Sequence, residues 1–200
     1  MDSEISRPTP EKTTVDGIRV LFTAEEIARR RAEIAAAISR DYAGDELLMV
    51  CILKGSMPFF VDLSRELTVP VRHDSIGVSS YFGGTESSGT VELVSDLSEP
   101  IAGKHVLLVE DIVDSGRTMK FVLDLLGERG PASLRLASLL DKPSRRQVDV
   151  EIGYVGFTIP DEFVVGYGLD HEQRHRNLPY IGVLDGTRPG MGVDRGDGIR

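Results

Sequence analysis

The apolar positions of the chain fall into two rhythms, one helical and one continuous. In TAEEIARRRAEIAAAISRDY, Ile27, Ala32, Ile34 and Ile38 recur at roughly helical spacing, and Thr23 with Glu26 has the spacing of a capping box. A helix beginning near Ala24 is predicted. ELLMVCILK, from Glu46 to Lys54, is an unbroken apolar run too short for a good helix, and it reads as a buried strand. The pattern of SMPFFVDLSREL after it is that of a helix entered through Ser56. The alternation returns in HVLLVED (His105 to Asp111) followed by SGRTMKFVLDLLGERG, then in SLRLASLLD (Ser133 to Asp141), FVVGYGLD (Phe163 to Asp170) and YIGVLD (Tyr180 to Asp185). Buried strands interleaved with helices predict an α/β fold whose parallel sheet is covered on both faces. Such sheets hold ligands beyond the carboxyl ends of their strands. Lys54, Glu110 with Asp111, Lys142 and Asp170 end the runs and are the first candidates for chemistry.

One stretch breaks the βα alternation. HDSIGVSSY and VELVSDL read as two strands joined by FGGTESSGT (Phe82 to Thr90), long for a hairpin and almost without apolar residues. Its two readings are a mobile flap and a solvated hairpin end. Residues 1–14 are polar and rich in proline, and residues 188–200 are Gly-rich without apolar period, so both ends are expected to be disordered or flexible. Between them no repeat or linker-like break interrupts residues 15–187, which predicts one domain.

Composition narrows the partners. The chain of 200 residues is 40% hydrophobic, enough for one sizeable core, and its formal charge is −9. An acidic chain lacks the basic surplus that non-specific binding of nucleic acid or anionic lipid requires, so any anionic ligand must meet a local site. No apolar run approaches the about 18 residues of a membrane span. The single cysteine, Cys51, excludes an intrachain disulfide, and the first residues lack the apolar stretch of a secretory signal, so a cytoplasmic protein is expected. Cys51 lies within LMVCILK and reads as a small buried hydrophobe rather than a nucleophile.

The most informative segment is VLLVEDIVDSGRT, Val106 to Thr118, which runs from a buried strand through a short turn into a helix. Free amides at a helix start, a glycine permitting close approach and two hydroxyls suit a terminal phosphate. Glu110, Asp111 and Asp114 would repel a bare phosphate. The ligand must therefore also offer hydroxyl donors, a divalent cation or a removable proton, all of which a phosphorylated sugar with magnesium supplies. Helix capping by Asp114 and Ser115 explains one acid but not three within five positions.

VLLVEDIVDSGRT resembles the phosphoribosyl-pyrophosphate-binding motif of the type I phosphoribosyltransferases, two acids followed by a turn of the D-[ST]-G-x-T kind. From about Thr23 to Asp185 the likeness is to the hypoxanthine-guanine branch. LKGS (Leu53 to Ser56) is similar to its pyrophosphate loop, SSY (Ser79 to Tyr81) to the start of its lid, and IPDEFVVGYGLD to its purine-binding hood. The resemblance implies a central, mostly parallel sheet flanked by helices, with a small C-terminal hood and a flexible β-hairpin flap. It further implies a purine salvage enzyme that moves the phosphoribosyl group of 5-phosphoribosyl-1-pyrophosphate (PRPP) to N9 of a 6-oxopurine, with Mg2+ as cofactor and a homodimer or homotetramer as assembly.

On matching positions, the resemblance gives Glu110 and Asp111 the ribose hydroxyls, directly or through magnesium, and gives the 5-phosphate to Asp114, Ser115, Gly116, Arg117 and Thr118. Asp114 matches the residue that contacts purine N7 and acts as general base or proton relay. Lys54, Gly55 and Arg176 would meet the pyrophosphate, with a cis peptide from Leu53 to Lys54. Ser80 and Tyr81 would open the flap. Lys142 would donate to the 6-oxo group, Phe163 would stack on the purine, Val164 would offer its main chain, and Asp170 would hold a second magnesium. Glu110, Asp111 and Asp170 are thus the implied metal ligands.

Two other functions compete. HEQRH, from His171 to His175, satisfies the zinc-peptidase pattern H-E-x-x-H, whose chemistry needs both histidines on one helix face and a third ligand. Here the pattern directly follows a predicted strand, Pro179 comes soon after, and no later glutamate exists. A sensor that keeps the fold without turnover could dispense with Asp114 or Lys54; both are present, so transfer is the expected activity.

Overall fold

The structure is a computed structural model that describes residues 14–15, 17–80 and 91–184. The expected disorder of residues 1–14 and flexibility of residues 188–200 fall almost wholly, and the loop from Phe82 to Thr90 wholly, outside those residues. The elements are β1 (Thr14–Val15), β2 (Ile18–Phe22), α1 (Ala24–Asp41), β3 (Leu47–Leu53), α2 (Met57–Glu66), β4 (Val71–Ser80), β5 (Val91–Ser95), β6 (His105–Val113), α3 (Arg117–Gly127), β7 (Ser133–Asp141), β8 (Tyr154–Thr158), β9 (Val164–Val165) and β10 (Ile181–Leu184), with a short 3-10 turn at Pro143–Arg145.

Six strands form the central sheet in the order β5-β4-β3-β6-β7-β8. All pairings are parallel except that of the edge strand β5, which runs antiparallel to β4. Alternation along β3 explains why its sequence is apolar throughout. Leu47, Met49 and Cys51 join α1 and α2 on one face, while Leu48, Val50 and Ile52 join Met119, Val122 and Leu126 of α3 on the other. Cys51 packs in that core as expected, and burial pushes its thiol pKa up.

The N-terminus of α1 closes as its spacing predicts: the Thr23 hydroxyl accepts from the Glu26 amide at 3.2 Å, and the Glu26 carboxylate accepts from the Thr23 amide at 2.9 Å. Ile27, Ile34 and Ile38 then face the core. α2 sets Phe59, Phe60 and Leu63 beneath β3, directly after the Lys54 turn.

Two expectations are corrected. The runs Phe163 to Asp170 and Tyr180 to Asp185 do not extend the parallel sheet. Only Val164–Val165 and Ile181–Leu184 are strands, and they lie antiparallel in a second sheet of order β1-β2-β10-β9. That sheet is the hood, and it is not purely C-terminal, because β1 and β2 supply half of its strands. Asp170 consequently ends no strand; it stands in the turn after β9. The sixth strand of the core, β8, has no counterpart in the sequence reading.

α2 holds the Lys54 turn only as firmly as its apolar face packs. Phe59 is fully buried, so Phe59→Ala should destabilise the protein by about 3–5 kcal/mol in urea unfolding. A loss under about 1 kcal/mol would show that the core collapses around the missing ring.

Candidate functional site

The carboxyl ends of β3, β6 and β7 converge under the hood, as the topology of a parallel sheet dictates. A cleft of about 380 Å³ opens there, lined by Asp111, Ile112, Asp114, Lys142, Arg145, Phe163, Val164, Leu169 and Asp170. Six of these nine were singled out from sequence: Asp111, Asp114, Lys142, Phe163, Val164 and Asp170.

Glu110 and Asp111 sit where β6 leaves the core, and both are half-buried. Burial there, reinforced by the neighbouring Asp111 charge, pushes the Glu110 carboxyl well above its usual range. The Asp111 carboxyl is pushed up to about 6, chiefly by burial; backbone amides and the Arg176 guanidinium pull the other way, and Asp170 adds repulsion. One Asp111 oxygen accepts from the Ile112 amide at 2.9 Å.

The turn from Asp114 to Gly116 enters α3 without a side-chain cap. Gly116 occupies that position because its φ is 84° and a Cβ would collide with the Val148 carbonyl. The Ser115 carbonyl accepts from the Gln147 and Val148 amides at 2.9 and 3.1 Å, and the Arg117 amide donates to the Ser115 hydroxyl at 3.4 Å. Asp114 keeps one oxygen, Oδ1, shielded from solvent without any hydrogen bond among the described residues. The Arg145 Nε lies 3.3 Å from that oxygen, as an ion pair.

Lys142 is buried after β7, with its ammonium donating to the Glu162 carbonyl at 2.9 Å and 3.7 Å from the Asp161 carboxylate. Lys142 and Phe163 both line the cleft. Lys54 is exposed and enters no ion pair among the described residues, and its peptide bond with Leu53 is cis, as expected. The adjacent Gly55 lies so close to the Asp111 carboxylate that a Cβ would strike it, and the Gly55 carbonyl is as tightly met by Gly168. The lysine turn, the acidic strand end and the hood therefore touch at one point. Arg176 completes it: its guanidinium donates to the Gly168 carbonyl at 2.7 Å and pairs with Asp170 at 2.6 Å.

Asp170 is thus already engaged, by Arg176 on one oxygen and by the Gln173 amide on the other. Among the described residues no three of His, Cys, Asp and Glu are grouped closely enough to cage a metal. A hard cation that keeps its waters and leans on one or two carboxylates and substrate phosphates needs no such cage, and Glu110 with Asp111 fits that donor set.

HEQRH forms a turn, not a helix. Glu172, Gln173 and His175 have positive φ, His171 pairs with Arg174 in an isolated bridge, and the His171 ring packs edge-on against Phe163 at 5.3 Å. The paired histidines of a zinc helix do not arise. Ser80 ends β4, and Tyr81 lies outside the described residues.

A family model described as "Phosphoribosyl transferase domain" matches residues 20–172. The chain belongs to the phosphoribosyltransferase family. Its relatives lie in the hypoxanthine-guanine group. It is 48% identical over 166 residues to the hypoxanthine-guanine phosphoribosyltransferase of Streptococcus pneumoniae, covering 83% of this chain and 92% of that one. It is 49% identical over 169 residues to the hypoxanthine phosphoribosyltransferase of Salmonella typhimurium, covering 84% of this chain and 95% of that one. The crystal structure of a Staphylococcus aureus hypoxanthine phosphoribosyltransferase superposes with a TM-score of 0.81 at 47% identity, over 87% of this chain and 96% of that one. The mostly parallel core and the hood are the family's architecture in this chain.

Sequence reasoning missed Arg145, Ile112 and Leu169 as lining residues. Arg145 stands three residues after Lys142 in a turn rich in basic residues, and no spacing rule distinguishes it from Arg146, which pairs with Asp141 instead.

The raised carboxyl at Asp111 has a measurable cost. Its pKa moves from the ordinary 3.8 to about 6 on folding, so the folded state binds the proton more tightly. Stability then falls as pH rises through that window, and the cost is complete above it. Asp111→Asn removes the charge. In metal-free protein it should gain ~1 kcal/mol at neutral pH, a value reduced for solvent screening at a half-buried group, and the gain should vanish below about pH 4. Thermal denaturation at both pH values checks this; equal melting temperatures at neutral pH would contradict it.

Proposed function

We propose that the chain transfers the 5-phosphoribosyl group of PRPP to N9 of hypoxanthine or guanine, giving IMP or GMP and pyrophosphate. The observation that carries this reading is the cleft lined together by Asp111, by Asp114 with an oxygen that accepts no hydrogen bond among the described residues, by the buried Lys142 and by Phe163, within a chain whose relatives bear hypoxanthine-guanine names.

Each residue's task follows from its chemistry. The turn from Asp114 to Thr118 binds the 5-phosphate through backbone amides and hydroxyls at the start of α3. Glu110 and Asp111 hold the ribose hydroxyls and are the ligands offered to Mg2+, with Asp170 offered to a second ion. Bound magnesium supplies charge neutralisation on the leaving pyrophosphate. Lys54 and Arg176 add positive charge on the same side, and Gly55 lets the backbone approach the pyrophosphate.

On the other side of the sugar, Phe163 stacks on the purine and Val164 presents main-chain groups to its edge. Lys142 donates to the 6-oxo oxygen; a 6-amino purine offers donors there, leaving a buried ammonium without its acceptor. As the bond from the anomeric carbon to pyrophosphate breaks, the N9 lone pair forms the new bond. The proton on N7 passes to Asp114 Oδ1, the oxygen without a hydrogen bond. The alternative reading, a sensor of the same fold, predicts PRPP binding without turnover.

Asp114→Asn should lower kcat about 100-fold or more while leaving the melting temperature within a degree or two, since the change removes a proton acceptor at nearly constant volume. Steady-state rates with PRPP and magnesium check it, and an unchanged kcat would remove Asp114 from the mechanism. Lys142→Ala should narrow the preference for hypoxanthine over adenine by about 10-fold or more. Rates on hypoxanthine, guanine, xanthine and adenine, with and without magnesium, measure this; an unaltered preference would assign the 6-position to another group.

A further inference from the structure

Asp114 poses a physical problem: one of its oxygens is shielded from solvent and accepts no hydrogen bond among the described residues. A buried carboxylate oxygen left in this way is costly unless a nearby charge offsets it. Arg145 supplies that charge in an unusual manner. Its Nε stands 3.3 Å from Asp114 Oδ1 and forms an ion pair, yet it makes no aligned hydrogen bond. The lone pairs that a ligand proton needs therefore stay open. The far end of the same guanidinium lies 3.6 Å from Asp161, whose carboxylate lies 3.7 Å from the Lys142 ammonium. A row of alternating charges, Asp114, Arg145, Asp161 and Lys142, so runs along the cleft from the proton acceptor to the lysine beneath the hood.

We propose that Arg145 is a positioning residue for phosphoribosyl transfer: it holds the Asp114 carboxylate aimed at the purine without occupying the oxygen that takes the proton, and through Asp161 it keeps Lys142 in register with it. This rests on the proposed transfer reaction and on Asp114 as its proton acceptor. Arg145 reaches Asp114 from the 3-10 turn that follows β7, so the alignment depends on a side chain rather than on the strand ends themselves. The neighbouring Arg146 cannot substitute, because its guanidinium is committed to Asp141 and to the Asp114 carbonyl.

The test is a double-mutant cycle in the full chain with magnesium, PRPP and hypoxanthine. Arg145→Gln should lower kcat about 10- to 100-fold and raise the hypoxanthine KM, with the PRPP KM within about twofold of wild type. Arg145→Lys, which keeps the charge, should recover most of the loss. In an Asp114→Asn background the added effect of Arg145→Gln should shrink to under about twofold, because the group it acts through is gone. Melting temperatures of all variants show whether a loss of rate is a loss of fold, and Arg145→Lys carries the test if Arg145→Gln proves unstable. Equal effects of Arg145→Gln in both backgrounds, or a wild-type rate for Arg145→Gln, overturn the positioning role while leaving the transfer reaction intact. Absence of pyrophosphate release by the wild-type protein overturns the transfer reaction itself and the positioning role with it.

Discussion

The molecule is organised around a tension: two adjacent carboxylates at the end of a strand that is otherwise buried. Val106 to Val109 pass through the centre of the sheet with no exposure; at Glu110 the pairing with β3 has ended, while that with β7 continues to Val113. Both carboxyls titrate high chiefly because burial desolvates them; the Asp111 charge adds to the effect on Glu110, and the Asp170 charge to that on Asp111. A fold selected for stability alone has no use for that pair. The surrounding features are intelligible as responses to it: Arg176 brings a cation to its rim, the Asp111 and Ile112 amides donate to it, and glycine at position 55 makes room for it.

The same constraint explains the distribution of glycine. Where three loops must approach the acids, side chains would block them. Gly55 lies against Asp111 and Gly168 against Gly55, so the lysine turn and the hood meet through backbone alone. Across the cleft the turn of residues 142–148 straps the loop after β6. The Lys142 amide donates to Val113, the Gln147 and Val148 amides to Ser115, and the Arg146 guanidinium to Asp114, all on carbonyl oxygens. The turn that carries Lys142 and Arg145 and the loop that carries Asp114 and Ser115 are thus tied to each other by backbone-directed hydrogen bonds.

Much of this was legible in the sequence because the period of the apolar residues changes where the structure changes. The capping box at Thr23, the six-residue buried run of β3 and the acids that follow the buried run of β6 declare themselves locally, although β6 itself continues past them to Val113. The hood was only partly legible. Its strands β9 and β10 are short, apolar and without helix between them, so they look like further parallel strands; they pair antiparallel with each other, and the other partner of β10 is β2, far back in the sequence, a pairing that no local pattern announces. β8 escaped because Gly156 interrupts it and half its residues are only partly buried at the sheet edge. In the site, residues that end strands were readable from position, whereas Arg145 was not, since its role depends on which way a side chain leaves a 3-10 turn.

HEQRH shows the converse failure, a motif without its context. The pattern places two histidines on one face only if the backbone is helical, and here Glu172, Gln173 and His175 adopt left-handed conformations that no helix permits. The reason lies in what the turn must accomplish. It reverses the chain between β9 and β10, delivers Arg176 to the Gly168 carbonyl and to Asp170, and sets the His171 ring edge-on against Phe163. A helix over the same residues would carry Arg176 away from the acids and withdraw the wall behind the aromatic ring. The charge at the rim and the stacking surface of the cleft therefore depend on the irregular backbone that makes zinc ligation by this segment impossible.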